Sequence, residues 1–183
     1  GEGPTVDVPQ GFGGGGVVRH ANLGYDNIVY VAGMSKAFSS MAAFVTCRDR
    51  AERQLFETAS TSIFSGPIPV ASLASARAGL AVNRSEGDHR RAVLRDLTAR
   101  LVDGSVERGY RVENELLFPV VNLGTGGVER TIRASQIMWD HGILFTPSIF
   151  PAAPLDHGGF RLSVTYDNTE EELECLFRGL DAV

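Results

Sequence analysis

Two short apolar runs constrain this chain more than any other feature: residues 27–32 (Asn-Ile-Val-Tyr-Val-Ala) and 41–47 (Met-Ala-Ala-Phe-Val-Thr-Cys). Both are rich in β-formers and too short for core helices, so they read as buried strands. The stretch between them, 33–40 (Gly-Met-Ser-Lys-Ala-Phe-Ser-Ser), is small and polar and reads as a loop. It holds Lys36, the one lysine among 17 basic side chains; the other 16 are arginines. An amine reacts with an aldehyde only when it is partly unprotonated and reachable. Burial beside apolar strands favours the unprotonated form. The neighbours Gly33, Ser35, Ala37, Ser39 and Ser40 leave room for a flat ligand and offer hydroxyl and N–H donors. Spacing alone nonetheless favours an ordinary surface lysine in a turn, and scarcity of lysine is often only coding bias.

The rest of the chain alternates helical and extended patterns. Residues 1–16 carry Pro4, Pro9 and a glycine run and read as loop. Helices are expected over 48–58, over the Ala/Leu-rich 68–82 (as a buried helix), and over 127–141, with a helical stripe at Val93, Leu94, Leu97 and Leu101. Gly66-Pro67 marks a turn after a Ser/Thr-rich stretch. Strands are expected near 115–123, 142–146 and 159–166, with a Pro-rich loop before the last. Thr169 and Glu172 form a capping box, followed by Leu173, Leu176, Phe177 and Leu180 on one face of a closing helix. Arg84–Asp88 is the one polar break. It suggests domains of 1–84 and 85–183, α/β in the first part and mixed α+β in the second.

Composition narrows the function classes. With 22 acidic residues the net charge is −5 and there is no basic block, so nucleic-acid binding is not expected. No apolar run approaches a membrane span, so a soluble chain is expected. Cys47 and Cys175 make no disulfide framework, which points to a reducing, cytoplasmic compartment. Gly11, Gly13 and Gly16 match a dinucleotide-binding spacing, but Pro9-Gln10 precedes them where a strand is required. Position 33 is Gly, so Lys36 is not the lysine of a Ser-x-x-Lys hydrolase. His20, His89, His141 and His157 have no Cys or carboxylate at metal-ligand spacing, so no metal site is expected. Cys47 reads as a small packing residue.

The segment Val31-Ala-Gly-Met-Ser-Lys36-Ala-Phe-Ser resembles the Schiff-base lysine segment of fold-type I pyridoxal-phosphate enzymes, most of all the α-oxoamine synthases. Further segments agree in order from about residue 10 to the end. These are Asp26–Val31, Phe44-Val-Thr-Cys, Ile63-Phe-Ser-Gly-Pro-Ile-Pro, Pro147-Ser-Ile-Phe-Pro-Ala-Ala-Pro, and Phe160-Arg-Leu-Ser-Val-Thr with the closing helix. The resemblance implies an α/β transferase fold, of which residues 1–84 supply the end of the large domain and 85–183 the small domain. It implies that Lys36 holds pyridoxal 5'-phosphate and moves a proton at the substrate α-carbon. Ser35, Gly33 and the loop N–H groups would lie on the phosphate side, with Ser65 and Gly66 in a loop that reaches the cofactor phosphate of the neighbouring subunit. Arg161 would pair with the amino-acid carboxylate. Gly33 and Gly66 stand where many relatives carry hydroxyl residues, and Asn168 replaces a common histidine.

The implied reaction condenses an amino acid with an acyl thioester, carried by coenzyme A or a carrier protein. Loss of CO2 then yields an α-amino ketone. An aminotransferase and a non-catalytic subunit of the same fold are the alternatives. In this family the lysine falls well past the midpoint, after a ring-stacking residue, an Asp for the ring nitrogen and a Gly-rich phosphate turn. An N-terminal part is therefore expected as a separate chain, a nicked piece or a segment beyond these 183 residues, together with a homodimer partner. Without it, an exposed sheet edge is expected.

Overall fold

The structure is a computed structural model and describes residues 14–183. Gly11, Gly13 and the rest of the 1–13 loop lie outside the described residues. Gly16 opens a five-residue helix, α1 (Gly16–His20). Contacts divide the chain into two units, Gly1–Asp88 and His89–Val183.

In the first unit, β1 (Val31–Gly33) and β2 (Ala43–Val45) pair antiparallel, with Val31 opposite Val45 and Gly33 opposite Ala43. Among the described residues the sheet has only these two strands. Their side chains are not buried as the apolar runs suggested: Val31, Phe44 and Val45 are exposed. A β-rich run is buried only if something covers both faces, and no third strand does so among the described residues of this unit. Helix α2 (Arg50–Thr58) starts where Asp49 accepts a hydrogen bond from the Glu52 N–H, and Arg48–Glu52 and Arg53–Glu57 pairs line its exposed side. The short α3 (Ser60–Ile63) follows within the Ser/Thr-rich stretch.

Helix α4 (Val70–Glu107) corrects two expectations. Its first turns are not a buried helix: Ala76 is buried, but Val70 is 81% and Leu73 50% exposed. Residues 84–88 are helical, so the polar stretch does not interrupt the helix, while the division of the chain into two units falls just after Asp88. Charge alone does not stop a helix. The segment has no proline, and Gly87, its one poor helix former, costs only about 1 kcal/mol.

The second unit is a four-stranded antiparallel sheet of order β3-β4-β6-β5 with helices on one face. β3 (Arg111–Val112) and β4 (Val120–Gly126) replace the strand expected at 115–123. The Asn114 side chain accepts from the Phe118 N–H at 2.9 Å and donates to the Phe118 carbonyl at 2.8 Å, folding 114–118 into a turn. After α5 (Val128–Asp140), β5 (Thr146–Ser148) lies beyond the expected 142–146. It is an edge strand, the place where Pro147 can sit without an N–H. β6 (Gly158–Ser163) pairs with both β4 and β5, and α6 (Glu170–Ala182) closes the chain. Val121, Leu123 and Phe160 of the sheet pack against Leu101, Ala134, Met138, Leu173, Phe177 and Leu180 of the helices. Alternation leaves Val120, Asn122, Arg161 and Ser163 on the open face.

The capping box on α6 is complete. The Thr169 hydroxyl accepts from the Glu172 N–H, and the Glu172 carboxylate accepts from the Thr169 N–H. That bond, aided by the Asn168 amide, holds the Glu172 carboxyl below its ordinary value of 4.5. The unfolded chain therefore takes up this proton first, and the contribution is present above about pH 4.5 and lost as pH falls through the lowered folded value. Thr169→Ala is expected to cost about 1 kcal/mol in urea unfolding at neutral pH. Glu172→Gln is expected to remove this group's share of the acid-side loss, measured by urea titrations between pH 3 and 7 (about the range that spans both states).

Candidate active site

Lys36 sits in the turn that joins β1 to β2. The turn is tied at its base by the Met34 N–H to the Ala42 carbonyl at 2.8 Å. The Phe38 and Ser40 N–H groups both donate to the Met34 carbonyl, at 3.1 and 3.2 Å. This folds 34–40 into a compact loop with Ser35, Lys36 and Ala37 at its tip, all exposed. Lys36 is thus exposed in a turn, as its spacing favoured, and is not buried beside the strands. Its ammonium makes no ion pair or hydrogen bond within the described residues, and neither do the Ser35 hydroxyl or the N–H groups of Ser35, Lys36 and Ala37. Nothing lies within 4 Å of a Cβ placed on Gly33. A reachable amine, a free hydroxyl and unused N–H donors on one turn fit a carbonyl compound that also carries an anionic group.

The back of the loop is held by the first turns of α4. The buried Ser40 hydroxyl donates to the Ser72 carbonyl at 2.7 Å and accepts from the Ala42 N–H at 3.1 Å. The Ser75 hydroxyl is shared between the Phe38 and Ser39 carbonyls, at 3.2 and 2.9 Å. Ser39 has φ +47°, a left-handed conformation that costs a non-glycine residue about 1–2 kcal/mol. At Gly79 a Cβ would lie 2.7 Å from Phe38 Cδ1 and 3.4 Å from its Cα, so only glycine allows this approach of loop to helix. Sequence reasoning missed Ser72, Ser75 and Gly79. The available signal was their spacing of i, i+3 and i+7, which places three small residues on one helical face.

The other site residues fall elsewhere. Ser65 and Gly66 follow α3 and are exposed, and the Ser65 hydroxyl donates to the Ser62 carbonyl at 2.9 Å. No hydrogen bond or ion pair joins them to the lysine loop among the described residues. In the second unit Arg161 lies on the open sheet face, in register with Asn122 on β4 and Thr146 on β5. Its guanidinium is exposed and makes no ion pair within the described residues, leaving its planar fork available to a carboxylate. It is also among the residues lining a cleft of about 450 Å³, whose apolar wall includes Leu97, Leu101, Phe145, Leu173 and Leu176. Asn168 accepts from the Thr165 N–H at 2.7 Å and so orders the turn into α6.

The model of the family described as aminotransferase class I and II matches residues 10–180. The chain belongs to that family. Among curated relatives, the 8-amino-7-oxononanoate synthase of Stutzerimonas stutzeri is 31% identical over 181 residues, covering 96% of this chain and 46% of the relative. That of Ectopseudomonas mendocina is 30% identical with the same coverage. The chain thus spans about half the length of the curated relatives it matches. Among solved structures, Sphingomonas wittichii serine palmitoyltransferase superposes with a TM-score of 0.85 at 20% identity, over 94% of this chain and 43% of that one. The 8-amino-7-oxononanoate synthase of Francisella tularensis gives 0.80 at 18%, over 94% and 50%. The fold is therefore a portion of the one these transferases share.

The approach at Gly79 yields a direct expectation. Gly79→Val should destabilise the protein by about 1–3 kcal/mol through overpacking against Phe38, read as a lowered urea midpoint.

Proposed function

We propose that this chain is part of a pyridoxal-phosphate-dependent acyltransferase that condenses an amino acid with an acyl thioester, with decarboxylation, to give an α-amino ketone. The observation that carries this reading is Lys36: the one lysine of the chain, exposed at a hairpin turn and without a partner among the described residues, in a member of the aminotransferase class I and II family. The similarity to 8-amino-7-oxononanoate synthases supports the synthase over other family reactions.

Lys36 would hold pyridoxal 5'-phosphate, with Gly33 giving clearance and Ser35 and the turn N–H groups donating to the cofactor's anionic end. When bound, the cofactor supplies an electron sink for the substrate α-carbon. The amine of Lys36 would then serve as the acid/base that moves the proton at that carbon. Arg161 orients the substrate by its carboxylate. Ser65 and Gly66 would serve the site of a partner subunit, which accounts for their separation from the lysine loop in bonding. The reading includes a homodimer, an N-terminal part completing each site, a coenzyme A or carrier-protein thioester, and a cytoplasmic location. Among the described residues, no helix is long and apolar enough to cross a membrane.

An aminotransferase is the second reading, favoured by the family's own description. Products separate the two: CO2 release with thioester consumption marks the synthase, a 2-oxo acid the aminotransferase.

Borohydride reduction in the presence of pyridoxal phosphate, followed by peptide mapping, is expected to place the label on Lys36, and Lys36→Ala to abolish it. A label absent from Lys36 would sink the proposal. Arg161→Ala is expected to raise KM for the amino acid roughly 10- to 100-fold in steady-state kinetics, with a smaller effect for Arg161→Lys.

A further inference from the structure

We propose that Ser75 is a positioning residue for Lys36, acting from α4 through the carbonyls at the back of the lysine loop. The proposal rests on the reading of Lys36 given above.

Four contacts carry it: three come from one face of α4 or meet it, and the fourth lies within the loop. Ser75 shares its hydroxyl proton between the carbonyls of Phe38 and Ser39. Ser40, only 2% exposed, reaches the Ser72 carbonyl. Gly79 admits the Phe38 ring and backbone. Phe38 and Ser40 in turn both close back on the Met34 carbonyl, two residues before Lys36. The tip, by contrast, makes no hydrogen bonds among the described residues. An exposed amine on a four-carbon stem is poorly localised by its own side chain, so its Cα must be fixed from behind.

Ser75 matters most because its acceptors include the carbonyl of Ser39, the residue held at positive φ. Left-handed non-glycine backbone persists only where surrounding bonds hold it. Removing the Ser75 hydroxyl leaves Ser39 free to relax to negative φ. That rotation would swing the peptide linking Ser39 to Ser40 and loosen the Ser40 N–H from Met34. The lysine turn would then lose its base while helix and strands persist. A hydroxyl that merely stabilised the fold would lower stability everywhere and leave the chemistry of the amine unchanged.

The test compares Ser75→Ala and Ser75→Thr, which retains the hydroxyl, in the natural full-length protein or complex. The first readout is hydrogen exchange at the amides of Phe38 and Ser40. The second is the pH midpoint of the absorbance that added pyridoxal phosphate develops on Lys36. In Ser75→Ala, exchange at the two amides is expected to rise about tenfold, the worth of one net hydrogen bond. The absorbance midpoint is expected to move, with exchange in β1 and β2 unchanged, while Ser75→Thr restores both readouts. Wild-type exchange and midpoint in Ser75→Ala would overturn the proposal, as would equal effects of the two variants. Wild-type protein that takes no cofactor at Lys36 would overturn the functional reading and the positioning role with it. Cofactor uptake in the wild type with an unresponsive Ser75→Ala would overturn the positioning role alone.

Discussion

The register of β6 between β4 and β5 is the constraint on which the second unit depends. Side chains alternate along a strand, so a shift of one residue would turn Phe160 and Leu162 out of the core and Arg161 into it. The register is fixed by lack of bulk as much as by hydrogen bonds. A Cβ on Gly159 would strike the Leu123 carbonyl, and one on Gly158 would strike Thr131 and lie 2.8 Å from the Gly126 carbonyl. The two glycines therefore admit close packing of β6 on β4 and the start of α5 at only one setting. Burial of Phe160 and exposure of Arg161 are two results of the same placement.

The lysine turn rests on a different logic. Its two-stranded ribbon is too small to be rigid by itself. Order comes instead from α4, whose small residues let the loop backbone lie against the helix. Among the described residues the tip is left without hydrogen-bond partners, so the Lys36 amine is reachable. The two candidate residues thus have different supports: Arg161 is set by strand pairing, Lys36 by a helix held against a loop.

What the sequence made legible was local. The capping box and stripe of α6 could be read because both signals lie within a few residues of what they determine. Leu173, Phe177 and Leu180 are buried as the period requires. The order of motifs that pointed to the family was likewise a property of short segments. Burial was not legible in the same way. The runs at 27–32 and 41–47 have the composition of core strands, yet exposure depends on what other segments cover them. The bonds from Ser75 to the lysine loop span 36 and 37 residues, and no window of the sequence contains both ends. The polar stretch 84–88 lies beside the division of the chain into two units, but the continuity of α4 through it was not legible. Helices are ended by proline, glycine and caps rather than by polarity.

One feature of the lysine turn reaches beyond its geometry. Aldehydes do not discriminate well among primary amines, and most proteins present many surface lysines that sequester a reactive carbonyl unproductively. These 183 residues offer one side-chain amine, with every other basic side chain an arginine. Guanidinium groups keep the surface charged and pair with carboxylates, but they stay protonated and do not compete for the carbonyl. Within this stretch of chain, selectivity for one amine is achieved by subtraction: an aldehyde that forms a side-chain imine here can form it only at the turn between β1 and β2.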